Sequence, residues 1–234
     1  MEQKMKTIGL IGGMSWESTV TYYQIINRTI EDELGGLHSA KILLYSVDFD
    51  EIERCQANNE WNKSAEILGL AAYRLQRAGA DCIVICTNTM HKIAPQIARY
   101  VTVPLLHIAE ATADELKKAK ISKVALLGTK YTMTEDFYRG KIEEAGIEVL
   151  VPDEPDVAYI NHVIYDELCR GRIYPESRDG FLDVIAKLSA AGAEGVILGC
   201  TEIGLLVGEA KTLIPLFDTT LIHARKAALF ALGK

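Results

Sequence analysis

Apolar positions along this chain come in two alternating rhythms. Short, nearly unbroken aliphatic runs occur in "KTIGLIGG" from residue 6, "KILLYSVDF" from 41, "DCIVIC" from 81, "VPLLH" from 103, "KVALLG" from 123, "GVILG" from 195 and "IPLFD" from 214. Such runs predict strands buried on both faces. Between them lie stretches with helical spacing. Residues 16–30 place Val20, Tyr23, Ile26 (or Asn27) and Ile30 on one face. Residues 64–78 do the same with Ile67, Leu68, Ala71, Ala72, Leu75 and Ala78, and residues 158–170 with Ile160, Val163, Ile164 and Leu168, stopped by Gly171. Strand alternating with helix implies α/β architecture with parallel sheets covered on both faces.

The pattern also repeats. "KTIGLIGGMSW" returns as "KVALLGTKYTM", "RAGADCIVICTNT" as "AAGAEGVILGCTE", and "VPLLH" as "IPLFD", in the same order. Each match lies about 110 residues downstream of its partner, which reads as internal duplication. The expected fold is two pseudo-symmetric αβα domains, one of residues 1–107 plus 215–234 and one of residues 108–214, with a site in the cleft between them. The last helix, 219–232, is expected to pack on the first domain, and 108–119 on the second.

Composition narrows the function. Apolar residues make up 49% and charged residues 24%, enough for a sizeable core without disulfides or a structural metal. A formal charge of −7 disfavours nucleic acid, because phosphate backbones demand clustered Lys and Arg. No stretch reaches the roughly 18–20 apolar residues that span a bilayer, and the first residues do not read as a signal peptide. A cytoplasmic protein without a membrane partner is expected. The five scattered cysteines imply free thiols.

Chemistry concentrates where two repeated strands end. "CTNTMHK" (86–92) pairs with "GCTE" (199–202) so that Thr87 matches Cys200, Asn88 matches Thr201 and Thr89 matches Glu202. Ligands of open parallel sheets bind at the carboxyl ends of strands. There, free helix N–H groups receive carboxylates and are expected to lower a thiol pKa, making Cys200 a credible thiolate. Cys86 competes for this role, but strand alternation turns it with Cys82 and Val84 into the packing. Cys82, Cys86 and His91 form a C-x3-C-x4-H series that matches no zinc spacing, so no metal is expected. "GLIGGM" is not a dinucleotide fingerprint; its glycines read as letting backbone approach a small anion. Ser15 reads as an N-cap, with a binding role beside that.

"GLIGGMSW", "CTNTMH" and "GCTEIGLL" together resemble the aspartate/glutamate racemase family, over essentially the whole chain. Glu202 after Cys200-Thr201 is similar to the aspartate racemase branch. The resemblance implies an isomerase that racemises acidic amino acids without any cofactor, including pyridoxal phosphate, and a homodimer. Typical members carry two cysteines flanking the substrate Cα. Here the first motif has Thr87 instead, which resembles a subgroup preferring L-aspartate and L-glutamate. That implies that Cys200 removes the α-proton of the L-enantiomer, with Thr87 on the D-side. Met14, Ser15, Asn88, Thr89 and Thr201 would line the site, and Asp48 would form a wall. Glu202 either orients the substrate ammonium or simply favours a helix start. Arg170 falls where the family places a basic residue for the side-chain carboxylate, with Arg172 or Arg54 as substitutes. His91 and His107 could tune or shuttle protons, or be structural. A single-cysteine decarboxylase or isomerase of small dicarboxylates, and a non-catalytic binder of acidic amino acids, are the alternative readings.

Overall fold

The computed structural model describes residues 5–208 and 210–234. It divides into two compact units, Met1–His107 with His223–Lys234, and Ile108–Ile222. In the first, strands β1 (Thr7–Gly12), β2 (Lys41–Ser46), β3 (Cys82–Ile85) and β4 (Leu105–Leu106) form a parallel sheet in the order β2-β1-β3-β4. In the second, β5 (Lys123–Gly128), β6 (Glu148–Leu150), β7 (Val196–Gly199) and β8 (Leu216–Asp218) repeat it as β6-β5-β7-β8, again all parallel. The duplication expected from the sequence is therefore present as a duplicated topology.

Strand alternation splits each unit into two apolar layers. On one side of the first sheet Ile8, Leu10, Cys82, Val84 and Cys86 pack with Tyr22, Ile26 and Ile30 of helix α1 (Trp16–Leu34). Ala224, Ala227, Ala228 and Ala231, from the last helix, complete that layer. On the other side Ile11, Ile83 and Ile85 meet Ile52 of α2 (Phe49–Ala57), Leu68, Ala71, Ala72 and Leu75 of α3 (Trp61–Arg77), and Ile97 of α4 (Ala94–Ala98). The second unit repeats the division. Val124, Leu126 and Ile197 face α5 (Ile108–Lys118) and α7 (Asp136–Glu144), the latter preceded by the short α6 (Lys130–Thr134). Ala125, Leu127, Val196 and Leu198 face α8 (Glu154–Asp166), α9 (Pro175–Ala190) and α10 (Ile203–Val207).

Three expectations need correction. Residues 215–222 were assigned to the first domain, but Leu216–Asp218 hydrogen-bonds beside β7 and belongs to the second. The boundary falls instead inside α11 (Thr219–Ala231), whose residues from His223 onward belong to the first unit. Helix α1 also buries a stripe different from the one hydropathy suggested. Thr19, Tyr22, Ile26 and Ile30 are buried, whereas Val20 and Tyr23 are exposed. Polar ties select this face: Thr19 Oγ1 donates to the Ser15 carbonyl at 2.9 Å and accepts the Gly13 N–H at 2.8 Å. Helix α8 ends at Asp166, earlier than expected, and a separate 3₁₀ turn, Leu168–Arg170, runs on to Gly171, which stops it at φ 68°. The helix also starts earlier than periodicity suggested, because Asp153 caps it through the Asp156 N–H at 3.0 Å.

The glycines after β1 serve packing within the unit. A Cβ on Gly12 would collide with the Thr19 side chain, and one on Gly13 with the Val47 carbonyl. The Cβ side of both glycines is thus occupied by the protein's own atoms. Gly13 also holds φ +93°, where an L side chain is strained. Gly13→Ala should therefore cost at least about 2 kcal/mol, combining strain with a backbone collision. Urea unfolding of the full chain checks this, and an unchanged midpoint would contradict it.

Candidate active site

The two equivalent strand ends carry the residues singled out by the motifs. In the first unit β3 runs out into Cys86, Thr87, Asn88 and a 3₁₀ turn, Thr89–Ile93. Cys86 is fully buried in the layer of Cys82 and Val84, as alternation requires. Burial raises its thiol pKa and pushes that of Cys82 up to about 12, leaving both as inert thiols. Thr87 is half-buried, and its N–H donates to the Ile85 carbonyl at 2.9 Å. Asn88 and Thr89 are buried beside it.

In the second unit β7 ends at Gly199, and Cys200 follows with 8% of its surface exposed. Its side chain continues the layer of Val196 and Leu198. Counted from the strands, Thr87 follows Ile83 and Ile85 with the same parity. The local register thus matches the sequence alignment of Thr87 with Cys200.

Cys200 Sγ donates to Glu202 Oε2 at 3.1 Å, and Thr201 Oγ1 donates to the same oxygen at 2.5 Å. Glu202 is only 4% exposed. A buried carboxylate bonded by a thiol places a base against a nucleophile. Its consequence for the resting thiol contradicts the expected thiolate. Burial first, then the Glu202 charge, raise the Cys200 pKa well above the ordinary thiol value. The following helix α10 spans only Ile203–Val207, too short a dipole to offset them. Cys200 therefore rests as a protonated thiol. Sequence reasoning placed Glu202 near substrate or at a helix start and missed this bond, although an acid two residues beyond the cysteine is its visible trace.

Other candidates have structural occupations. Ser15 caps α1, its hydroxyl accepting the Ser18 N–H at 3.3 Å. Asp48 caps α2, accepting the Asp50 N–H at 3.2 Å. The Met14 side chain lies in the core layer of Ile11 and Ile85. Arg170 pairs with Asp166 at 3.4 Å on the surface, and Arg54 with Asp50 at 3.1 Å. Such exposed pairs add little stability and leave the guanidinium available for exchange. No group of three or more His, Cys, Asp or Glu that could hold a metal ion occurs among the described residues. No described helix is long and apolar enough to cross a membrane.

His91 and His107, already marked by their motifs, adjoin Thr87 in a histidine network completed by His223, which no motif marked. His91 Nδ1 lies 2.8 Å from the Thr87 carbonyl, and His223 Nε2 lies 2.8 Å from the Leu106 carbonyl. Tyr22 Oη lies 2.9 Å from His223 Nδ1. The His91 ring sits edge-on to those of His107 and His223, with centroids 4.7 and 5.6 Å away.

A duplicated α/β protein with its polar side chains gathered at equivalent strand ends is the class that fold and site define. Residues 11–227 match the model of the Asp/Glu/hydantoin racemase family. The chain belongs to that family, a family of isomerases. It is 55% identical to a candidate Asp/Glu racemase from Yersinia pestis, whose structure superposes with a TM-score of 0.91 over 97% of this chain and 100% of that one. An aspartate racemase homologue from Pyrococcus horikoshii OT3 is 36% identical, with a TM-score of 0.84 over 97% and 99% of the two chains. Among curated proteins, the broad specificity amino-acid racemase RacX of Bacillus subtilis (strain 168) is 23% identical over 221 residues, 93% of this chain and 95% of that one.

The histidines give the fold a pH dependence of definite sign. Burial, then the neighbouring His107 and His223, hold His91 well below the ordinary imidazole value. Burial brings His223 down from 6.5 to about 4. An unfolded chain takes these protons near 6.5 while the folded chain refuses them, so stability is complete above that value and drains as pH falls toward about 4. The expected loss is up to about 1.4 kcal/mol per pH unit for each histidine. Urea midpoints measured from pH 7.5 to 5 check this; a flat profile would contradict it.

Proposed function

We propose that this chain is a cofactor-independent racemase of aspartate and glutamate in which Cys200 and Thr87 act on opposite faces of the substrate Cα. The bond between Cys200 Sγ and Glu202 Oε2 carries the reading, because it gives a protonated thiol a route to a thiolate. Proton transfer from Sγ to Oε2 converts a thiol beside a carboxylate into a thiolate beside a neutral carboxyl. The charge stays single, so the buried site needs no second ionisation. Thr201, which donates to the same carboxylate, holds that oxygen in line.

The thiolate then takes the α-proton of the L-enantiomer. Negative charge moves onto the substrate α-carboxylate, where backbone N–H groups following Thr87 and Cys200, with Asn88, Thr89 and Thr201, would stabilise it. The Thr87 hydroxyl donates to the opposite face, because a Cα carbanion is far more basic than an alkoxide. Solvent reprotonates Thr87. Running backward, a hydroxyl is a poor base, so exchange at the D-face is slow. Since the enantiomers are equal in free energy, overall kcat/KM must match in both directions. The asymmetry shows in isotope exchange instead.

Arg170 would recognise the side-chain carboxylate by giving up Asp166, with Met14, Ser15 and Asp48 contributing through the turns they anchor. Aspartate and glutamate as substrates are supported by the 55% identical relative, a candidate Asp/Glu racemase. The preference for the L-enantiomers and the homodimer rest on the sequence resemblance alone, and the cytoplasmic location on the reading of the sequence.

The test is incubation of each enantiomer of glutamate and aspartate in D2O, with α-proton loss followed by NMR and inversion by chiral chromatography. L-substrate should exchange faster than it inverts, and D-substrate should not. Thr87→Ala should retain L-exchange and lose inversion. Cys200→Ser should lose both, and Glu202→Gln should slow both by about a hundredfold or more. Cys86→Ala should leave both intact. Turnover of a dicarboxylate without amino-acid exchange would favour a single-thiol lyase or isomerase, and binding without any turnover would favour a sensor.

A further inference from the structure

Thr87 leaves its strand into a segment with little stiffness of its own. The 3₁₀ turn after it spans five residues, Thr89–Ile93, and α4 another five, Ala94–Ala98. Pieces this short are only marginally stable by themselves, so side chains add to the Thr87 N–H bond in setting the backbone direction there. One does so directly. A carbonyl oxygen can only accept, hence His91 Nδ1, 2.8 Å from the Thr87 carbonyl, carries the proton. The same logic protonates His223 Nε2 against the Leu106 carbonyl and makes His223 Nδ1 the acceptor from Tyr22 Oη. Both rings are neutral, with their tautomers fixed by the backbone.

These rings also hold each other. His91 is 1% exposed and His223 fully buried, and His91 lies edge-on to both His107 and His223. The turn bearing Thr87 is thereby tied through His91 to the end of β4 and to α11, and through Tyr22 to α1. We propose that His91 is a positioning residue: its Nδ1–H fixes the Thr87 carbonyl, and so the hydroxyl of Thr87, while the two other histidines lock its ring. The inference rests on the assignment of Thr87 to one substrate face, and adds a group that touches no substrate.

Two substitutions separate positioning from packing. His91→Phe keeps a buried ring and removes the donor. His91→Asn loses the ring but keeps an N–H at the place of Nδ1. If His91 positions Thr87, the Phe variant loses inversion by about tenfold or more while L-substrate α-exchange, the work of Cys200, changes less than about twofold. The Asn variant then recovers most of the inversion rate. Inversion at the parent rate in His91→Phe, or exchange and inversion falling together in it, would overturn the proposal. So would an Asn variant less active than the Phe one, which is the order that packing predicts.

A second measurement is independent of turnover. Imidazole 15N shifts of the full chain near pH 7 should report His91 protonated at Nδ1, and the Thr87 and Asn88 amides should shift and exchange faster in His91→Phe. An Nε2–H tautomer, or amides unmoved by the substitution, would overturn it. Parent protein that neither exchanges nor inverts any acidic amino acid would count against the racemase reading alone, leaving these NMR results to decide whether His91 sets the turn.

Discussion

In a parallel sheet covered on both faces, every strand residue must commit to one of two apolar layers, and the choice alternates without exception until the strand stops. That constraint organises this molecule. In β3 it assigns Cys82, Val84 and Cys86 to one layer and Ile83 and Ile85 to the other. In β7 it assigns Ile197 to one and Val196 and Leu198 to the other. Residues just past these strands inherit the alternation. Thr87, two positions beyond β3, and Cys200, one beyond β7, are such residues, whereas the Cys86 N–H still donates to the Ile11 carbonyl. Cys86, one position earlier, has the same side-chain chemistry as Cys200 and none of its freedom.

Position alone does not make a thiol reactive. Desolvation opposes ionisation of any group, and at Cys200 a neighbouring carboxylate opposes it further. The opposition holds only while Glu202 keeps its own charge. Because the thiol already donates to Glu202, the proton needs to move by no more than the length of one hydrogen bond to reverse the situation. On the proposed reading, transfer along that bond relocates one buried charge without adding a second, between groups two residues apart. Asp218 shows the related effect without a nearby thiol donor: burial raises its pKa, although the backbone N–H groups of Thr220 and Leu221 pull it down.

Much of this was legible in the sequence because it is written in local periodicities. Short aliphatic runs marked the strands except β6, Glu148–Leu150, and three ordered repeats announced the duplication, whose shared strand order only the structure supplied. Burial of Cys86 followed from counting by twos. What escaped was information held in side-chain geometry or in pairings between distant segments. The buried face of α1 depends on Thr19 bonding Ser15 and Gly13, which outweighs the hydropathy of Val20 and Tyr23. The assignment of "IPLFD" depends on which strand it pairs with. His223 meets His91 only because α11 packs beside β3 and β4, and no spacing in the chain announces that. The thiol pKa failed for a different reason: a rule about helix ends was applied to a helix of five residues.

The substitution of a hydroxyl for a thiol changes how tightly its surroundings must be controlled. A thiolate can take a proton from a range of directions, since ionisation itself supplies the driving force and sulfur is large and polarizable. A hydroxyl cannot ionise usefully at neutral pH, so it contributes only by donating along its own O–H direction, reached through the χ1 and hydroxyl rotors from the place the backbone gives it. In this chain Cys200 donates to a buried carboxylate ahead of a short helix, while the carbonyl of Thr87 is held by a buried ring. On the proposed reading the two ends of the duplicated topology have diverged in the way their side chains require: proton affinity would be tuned where a thiol ionises, and backbone direction fixed where a hydroxyl donates.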